Sequence, residues 1–225
     1  MSMDTANSFD NRARDMVETQ LRPRGIRDER VLEAMRLVPR HEFVPVGLVD
    51  AAYEDRPLSI GERETISQPY IVAAMTQAAR VTPADKVLEI GGGSGYQAAI
   101  LAQMGALVYV VEINPRLADE ARARLARLGF ETVTVFTGDG SEGLPDHAPY
   151  DVIIVSAAAP KVPPVLLEQL AEGGRLVIPV GNLYQQDLLL LWRHGEETTT
   201  RRLDPCQFVP LRGRGGWPGE RGVRG

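Results

Sequence analysis

Hydrophobic residues in the first third of the chain recur at helical spacing. Residues 10–21 predict a first helix, and the stretch from Val31 to Val38 predicts a second, with Val31, Leu32 and Met35 on one face. Asp28 is suited to cap this second helix, and Pro39 ends it. Residues 41–64 contain two prolines and two glycines, so we expect a long, partly extended connection there.

From residue 86 onward, short apolar runs alternate with helical patterns. The predicted strands are residues 86–90, 107–112, 132–136, 151–156 and 175–180, and the predicted helices between them are 96–104, 115–128 and 163–170. Gly173 and Gly174 are expected to stop the last of these helices, and residues 188–192 and 198–203 to close the sheet as antiparallel strands. The alternation predicts an α/β fold, with a mostly parallel sheet flanked by helices and an N-terminal helical extension.

Length and composition indicate one domain of ordinary globular type. The chain has 225 residues, 44% of them hydrophobic. We expect a flexible tail over residues 1–8, a single domain over 9–212 and a disordered, glycine-rich tail over 213–225. Within the domain, we expect an N-terminal helical region over residues 9–80 and the strand–helix core over residues 81–212.

Charge and side-chain chemistry exclude several classes of function. The net charge of −5 disfavours a nucleic-acid binder, and the three histidines lack metal-ligand spacing, so no metal is expected. No apolar run approaches membrane-spanning length and no signal peptide is evident. With one cysteine, Cys206, the chain fits a reducing compartment. We therefore expect a cytoplasmic monomer without nucleic-acid or membrane partners.

A glycine-rich turn follows the first core strand and predicts a cofactor site. Gly91, Gly93 and Gly95, with Ser94 among them, form G-x-G-x-G rather than the G-x-G-x-x-G of dinucleotide-binding proteins. Glu112 ends the next strand, where a carboxylate can accept hydrogen bonds from both ribose hydroxyls. A nucleoside cofactor without a pyrophosphate indicates S-adenosylmethionine. The alternatives are a glycine turn used only for packing and a solvated strand end at Glu112.

The ends of the third and fourth strands add two hints. Asp139-Gly140 is placed for the Asp139 carboxylate to reach an adenine amino group, but it fits a simple turn equally well. The segment 156–160 (Ser-Ala-Ala-Ala-Pro) lacks the amide or acidic side chain that binds an amine acceptor, and no general base faces the cofactor. A carboxylate acceptor needs none, because its pKa is about 4.

Several segments together resemble the protein-L-isoaspartate (D-aspartate) O-methyltransferases. The most specific is Thr65-Ile66-Ser67-Gln68-Pro69-Tyr70; the others include residues 87–97, 138–140, 148–151, 157–160, 173–181 and 208–211. They occur in the family's order over about residues 12–212. The resemblance implies a Rossmann-like methyltransferase fold and methyl transfer from S-adenosylmethionine to the free carboxylate of L-isoaspartyl or D-aspartyl residues. The ester then collapses to a succinimide, whose hydrolysis regenerates some normal aspartate, and S-adenosylhomocysteine is the other product.

The resemblance also implies the site residues. Ser67 is the active-site residue, which we interpret as a hydrogen-bond donor to the acceptor carboxylate. Thr65, Ile66, Val209 and Pro210 are the substrate-binding residues. The cofactor-binding residues are Gly91, Gly93, Ser94, Gly95, Glu112, Ile113, Asp139 and Gly140. The structural alternative for Ser67 is a cap on the helix that follows it.

Two departures from the family pattern bear on the site. Glu64 stands where the family usually has Gln, and its charge could repel an anionic substrate unless Arg63 or another cation compensates. Gly92 stands where Thr is common, which predicts a looser cofactor loop. Three other functions stay open: a tailoring enzyme that methylates aspartate in one dedicated peptide, a non-catalytic cofactor-binding module, and, least favoured, a nucleic-acid methyltransferase.

Overall fold

The computed structural model describes residues 3–217, and it begins with a helical region. Helix α1 (Met3–Met16) continues through a π-helical turn (Val17–Leu21) and a 3-10 turn (Arg22–Arg24). Helix α2 (Glu29–Leu37) is capped as predicted, because the Asp28 carboxylate accepts a hydrogen bond from the Arg30 N–H. Its apolar face is buried, so the second predicted helix is confirmed.

Both expected tails differ from the prediction. Residues 3–8 belong to α1, and the next residue, Phe9, is buried with its ring stacked 3.9 Å from that of His41. Residues 213–217 are not disordered, because the Trp217 indole N–H donates to the Ala158 carbonyl at 3.0 Å. Phe9 is the first residue of the predicted domain, whereas the hydrogen bond of Trp217 extends the ordered chain beyond the predicted boundary at residue 212. Residues 1–2 and 218–225, which carry the rest of the tail predictions, lie outside the described part of the chain.

The connection predicted over residues 41–64 contains regular structure. Two 3-10 turns, Arg40–Phe43 and Val46–Ala51, are followed by a hairpin of β1 (Leu58–Gly61) and β2 (Glu64–Ile66). The hairpin buries Leu58 opposite Ile66 and leads directly into helix α3 (Pro69–Ala79).

A seven-stranded sheet forms the core, and it confirms the predicted fold class. Its strands are β3 (Lys86–Ile90), β4 (Leu107–Glu112), β5 (Val133–Thr137), β6 (Tyr150–Val155), β7 (Leu170–Gly181), β8 (Gln186–His194) and β9 (Glu197–Cys206). They lie in the order β5-β4-β3-β6-β7-β8-β9, parallel through β7 and antiparallel from β7 to β9. The intervening helices are α4 (Tyr96–Gln103), α5 (Pro115–Arg127) and α6 (Pro164–Glu168).

Both faces of the central strands are buried, which explains their nearly continuous apolar sequence. In β3, Val87 packs into one hydrophobic cluster and its neighbour Leu88 into a second cluster on the other face. Within residues 3–217, no helix combines the length and apolarity needed to cross a membrane.

One element boundary differs from the prediction for a packing reason. Helix α6 ends at Glu168, and β7 already begins at Leu170 and runs through Gly173 and Gly174. Leu170 is buried opposite Tyr150 in the parallel ladder. These glycines therefore lie within the strand and do not stop a helix.

Candidate active site

The glycine turn after β3 lies where the parallel strands end. The Gly91 N–H donates to the Val111 carbonyl at 2.9 Å, which ties the turn to the end of β4. Gly91 and Gly93 both have positive φ angles, 84° and 50°, a conformation that glycine adopts without a Cβ penalty. The turn therefore presents its peptide backbone at the carboxyl edge of the sheet, where ligands of such sheets bind.

Glu112 is held at this edge by backbone donors. Its side chain is buried, and its two oxygens accept hydrogen bonds from the N–H groups of Gly93 and Asn114, each at 2.8 Å. A carboxylate offers about four acceptor positions, so capacity remains for two hydroxyl donors. This arrangement fits the predicted contact with ribose hydroxyls.

A cavity beside Glu112, here the Glu112 cavity, collects residues from distant segments. It is lined by Glu64, Thr65, Ile90, Gly91, Gly93, Val111, Glu112, Ile113, Gly140, Ser156, Ala157, Val209, Pro210, Leu211 and Arg212. The structure thus brings together most of the predicted cofactor-binding residues with three of the predicted substrate-binding residues. Its volume is only about 50 Å³, room for a few water molecules.

A second small cavity, the Glu89 cavity, lies on the other side of the glycine turn. It is lined by Thr65, Ile66, Ser67, Val72, Met75, Glu89, Gly91, Gly92, Gly93, Ser94, Tyr96, Gln97 and Ser156. Glu89 is buried, and within residues 3–217 its Oε2 has no hydrogen-bond partner. Burial raises the pKa of Glu89 well above its ordinary value, and the nearby Glu112 charge raises it further. Such a carboxylate is suited to a cationic group of a ligand.

Sequence reasoning overlooked Glu89, although the signal was present. It is the one charged side chain after Lys86 in the otherwise apolar strand β3. Lys and Glu side chains are almost never fully buried without a partner, so an acid in a buried strand that ends at a ligand-binding turn marks a candidate site.

An open groove, the Ser67 groove, meets both cavities. It has a volume of about 250 Å³ and is lined by Arg24, Pro57, Thr65, Ser67, Gln68, Tyr70, Ile71, Ser156, Pro205, Cys206, Gln207, Phe208 and Val209. Thr65 and Ser156 line all three spaces, and Ser67 lines the groove and the Glu89 cavity. The hydroxyl-bearing residues therefore lie where an acceptor in the groove would meet a cofactor in the cavities.

A buried arginine supports the Ser67 segment from behind. The Arg40 guanidinium donates to the carbonyls of Ser67 and Ala52, each at 2.7 Å, and lies over the Tyr96 ring. Burial lowers the pKa of Arg40. The N-cap of α3 is Gln68, and no side chain makes the capping hydrogen bond. The alternative in which Ser67 caps this helix is therefore wrong.

Two predicted cofactor-binding residues lie outside the linings of both cavities. A Cβ on Gly95 would lie 3.2 Å from the Leu125 side chain, so Gly95 allows α4 and α5 to pack closely. The Asp139 carboxylate accepts hydrogen bonds from the Ser141 N–H and hydroxyl and from the Arg214 N–H. The predicted contact of Asp139 with adenine stays a prediction, whereas its contact with the C-terminal segment is observed.

The two departures from the family pattern have structural counterparts. Glu64 forms an ion pair with Arg212 at 2.8 Å, whereas Arg63 lies exposed in the turn between β1 and β2. The compensating cation is therefore Arg212. At Gly92, a Cβ would lie 2.4 Å from Val110 Cγ1. The turn packs directly against β4 at this point, contrary to the expectation of a looser loop.

No metal centre accompanies these cavities in the part of the chain that the structure describes, since residues 3–217 contain no cluster of three His, Cys, Asp or Glu side chains suited to a metal ion.

Comparison with known proteins agrees with this geometry. The family model described as protein-L-isoaspartate(D-aspartate) O-methyltransferase (PCMT) matches residues 11–216. The protein-L-isoaspartate O-methyltransferase of Methanoculleus marisnigri is 55% identical over 206 residues, which cover 92% of this chain and 94% of the relative. That of Koribacter versatilis is 54% identical over 207 residues, with coverage of 92% and 93%.

Solved structures give the same result for the fold. A protein-L-isoaspartate O-methyltransferase structure superimposes with a TM-score of 0.81 at 32% identity, covering 91% of this chain and 67% of the other. A Plasmodium falciparum protein, crystallised with S-adenosyl-L-homocysteine, superimposes with a TM-score of 0.76 at 23% identity, covering 91% and 98%. The latter likeness concerns the fold.

Proposed function

The chain belongs to the protein-L-isoaspartate(D-aspartate) O-methyltransferase family, and on that premise we propose how its residues divide the work of the active site. The enzyme transfers a methyl group from S-adenosylmethionine to the free carboxylate of isoaspartyl residues, which begins the repair of damaged proteins. The main support for the proposal is that the Ser67 groove shares Thr65 and Ser156 with both cavities, and Ser67 with the Glu89 cavity.

The cofactor supplies a methyl group on a positively charged sulfur. We assign its ribose to Glu112, whose remaining acceptor positions suit two hydroxyl donors, and its adenine to the side of the Glu112 cavity lined by Ile113 and Gly140. We assign its α-ammonium group to Glu89, because the buried Oε2 of this carboxylate lacks a hydrogen-bond partner within residues 3–217 and a cation there would offset its charge. The glycine turn from Gly91 to Gly93 provides the close backbone approach between these two subsites.

We assign the acceptor peptide to the Ser67 groove, whose far wall includes Phe208 and Val209. The Ser67 hydroxyl donates a hydrogen bond to the isoaspartyl carboxylate and directs one carboxylate oxygen toward the methyl group. Arg40 acts as a positioning residue, because it holds the Ser67 carbonyl from the buried side. No base is required, since the acceptor is already ionised at neutral pH; catalysis consists of alignment.

The same proposal divides the domain at residue 80, with the acceptor site mainly before it and the cofactor site after it. It includes a cytoplasmic monomer that takes protein rather than nucleic acid as substrate. The net charge of −5 supports a protein substrate over a nucleic acid, and the single cysteine supports a reducing compartment. Sedimentation velocity of the purified chain would test the monomer.

Methyl transfer to two synthetic peptides would test the activity. The peptides are identical except that one carries L-isoaspartate and the other L-aspartate, and the cofactor carries a labelled methyl group. We expect base-labile label in the isoaspartyl peptide alone. Equal labelling of the aspartyl peptide would contradict isoaspartyl specificity, and labelling of neither would favour a dedicated peptide substrate.

A further inference from the structure

The end of the described chain crosses the edge of the sheet where the cavities open. We call residues 211–217 the C-terminal strap. Its Arg214 N–H donates to Asp139 at 2.8 Å and its Gly215 N–H donates to the Ser141 hydroxyl at 2.9 Å. The Trp217 indole N–H donates to the Ala158 carbonyl. The strap is thereby fixed to the segments that follow β5 and β6.

On its other side the strap contacts the hairpin of β1 and β2, which we call the acceptor hairpin. Arg212 Nη2 lies 2.8 Å from Glu64 Oε1, and Glu64 immediately precedes Thr65 on β2. Both charged residues line the Glu112 cavity, together with Glu112 itself. The ion pair therefore connects a segment from the first third of the chain to its C-terminal segment at the cofactor site.

The size of the cavity implies that something must move when the cofactor exchanges. The Glu112 cavity and the Glu89 cavity hold about 50 Å³ and about 30 Å³, both well below the ~300 Å³ of a small ligand pocket. The sheet edge is fixed by its ladders, and Glu112 is fixed by two backbone hydrogen bonds. Within the described residues, only the first residue of the strap makes a backbone–backbone hydrogen bond outside it, from the Leu211 N–H to the Ala158 carbonyl at 2.8 Å. The other hydrogen bonds of the strap to the rest of the chain involve a side chain, so it is the wall that can yield.

The ion pair is partly buried at the cavity. Burial raises the pKa of Glu64, Arg212 lowers it and the neighbouring Glu112 raises it. Arg212 is therefore the group that favours the ionised form of Glu64, and removing either partner leaves the other charge unpaired at the cavity wall.

We propose that the Glu64–Arg212 ion pair is a clasp that fastens the C-terminal strap over the cofactor cavity and limits the rate at which S-adenosylhomocysteine leaves. The proposal rests on the proposed function, because it takes the Glu112 cavity as the cofactor site. It explains the departure at Glu64: the carboxylate is neutralised by a cation from the strap. Opening the clasp exposes the ribose subsite, and closing it brings Thr65 and the acceptor hairpin against the cofactor.

Stopped-flow fluorescence would measure the clasp directly. The chain has two tryptophans, Trp192 and Trp217, so W192F leaves the strap residue as the sole indole reporter. In this background, release of S-adenosylhomocysteine would be measured in E64Q, R212Q and the double variant. We expect each single variant to release it about 5-fold faster, and the double variant no faster than either, because both remove one interaction.

R175Q is the matched control. Arg175, in the middle of β7, forms an ion pair of 2.9 Å with Asp85, outside both cavities and the groove. Its release rate should equal that of the parent protein, and urea unfolding should show that all four variants stay folded at pH 7. Unchanged release in E64Q and R212Q, additive effects, or equal acceleration in R175Q would overturn the clasp while leaving the cofactor site intact. Failure of the parent to bind S-adenosylhomocysteine would overturn both proposals.

Discussion

The two walls of the central site are assembled differently. The cofactor wall comes from the consecutive segments that end β3 and β4, and its polar groups are fixed by backbone hydrogen bonds, as at Glu112. The acceptor wall joins the hairpin segment 64–67 to the distant segment 208–212, and its contacts are made by side chains, as between Glu64 and Arg212. Substitutions at Glu112 should therefore change cofactor affinity, and substitutions at Ser67 should change turnover. Substitutions of the Glu64–Arg212 pair, which lines the Glu112 cavity, should change the release of S-adenosylhomocysteine.

The largest effect is expected at Ser67. In S67A the acceptor carboxylate loses the donor that aligns it, so kcat with an isoaspartyl peptide should fall about 100-fold. The dissociation constant of S-adenosylhomocysteine, measured by calorimetry, should stay the same. S59A, which removes a hydroxyl elsewhere in the same hairpin, is the control and should behave as wild type. Wild-type turnover in S67A would refute the aligning role.

Substitution of Glu112 is expected to change cofactor affinity much more than turnover, the opposite of the result at Ser67. E112A removes the ribose acceptor and leaves the Gly93 N–H without its partner, so affinity for S-adenosylhomocysteine should fall by about 1–3 kcal/mol. At saturating cofactor, kcat should change much less than in S67A. Calorimetric titration gives the affinity, and an unchanged value would remove Glu112 from the ribose site.

Gly92 tests how tightly the cofactor wall is packed. In G92T the new Cβ meets Val110 Cγ1, so the free energy of unfolding should fall by about 1–3 kcal/mol. The same substitution in a V110A background should cost less, because the obstructing methyl group is gone. Urea unfolding of the wild type, G92T, V110A and the double variant measures the loss of unfolding free energy caused by G92T in each background. Equal losses would show that the contact with Val110 is not the cause.

The smallest effect is expected at Glu89. Its burial should lower the free energy of unfolding at neutral pH, not raise it. Burial raises the pKa of Glu89 in the folded state. Above about pH 4 the unfolded chain has released this proton, whereas the folded chain still holds it. The free energy of unfolding therefore falls as the pH rises from about 4 toward the raised pKa. E89Q should therefore be more stable than wild type at pH 8, with the difference shrinking toward pH 4. It should also bind S-adenosylhomocysteine more weakly. A pH-independent difference in unfolding free energy would contradict the raised pKa.

The same comparison explains what the sequence could predict. The cofactor wall is local: a strand, a glycine turn and an acid at the next strand end lie close together in the chain, so the parallel sheet and Glu112 were both predictable. The meeting of residues 64–67 with 208–212 depends on tertiary packing. The family resemblance suggested it, but residue spacing alone did not.

The unpredicted parts have specific physical reasons. Residues 213–217 were expected to be disordered because their composition is glycine-rich, yet hydrogen bonds to Asp139, Ser141 and Ala158 hold them in place. The same contacts engage Asp139, for which a role at adenine was expected. The Glu64–Arg212 ion pair could not be predicted from the sequence, because an ion pair between distant segments leaves no local pattern.

A crystal structure of the chain with S-adenosylhomocysteine and an isoaspartyl peptide would test the central claim most directly. We expect the ribose hydroxyls within hydrogen-bond distance of Glu112 and the isoaspartyl carboxylate within hydrogen-bond distance of the Ser67 hydroxyl, on opposite sides of Thr65. A ribose bound away from Glu112, or a carboxylate held without Ser67, would contradict the division of the site into a cofactor wall and an acceptor wall.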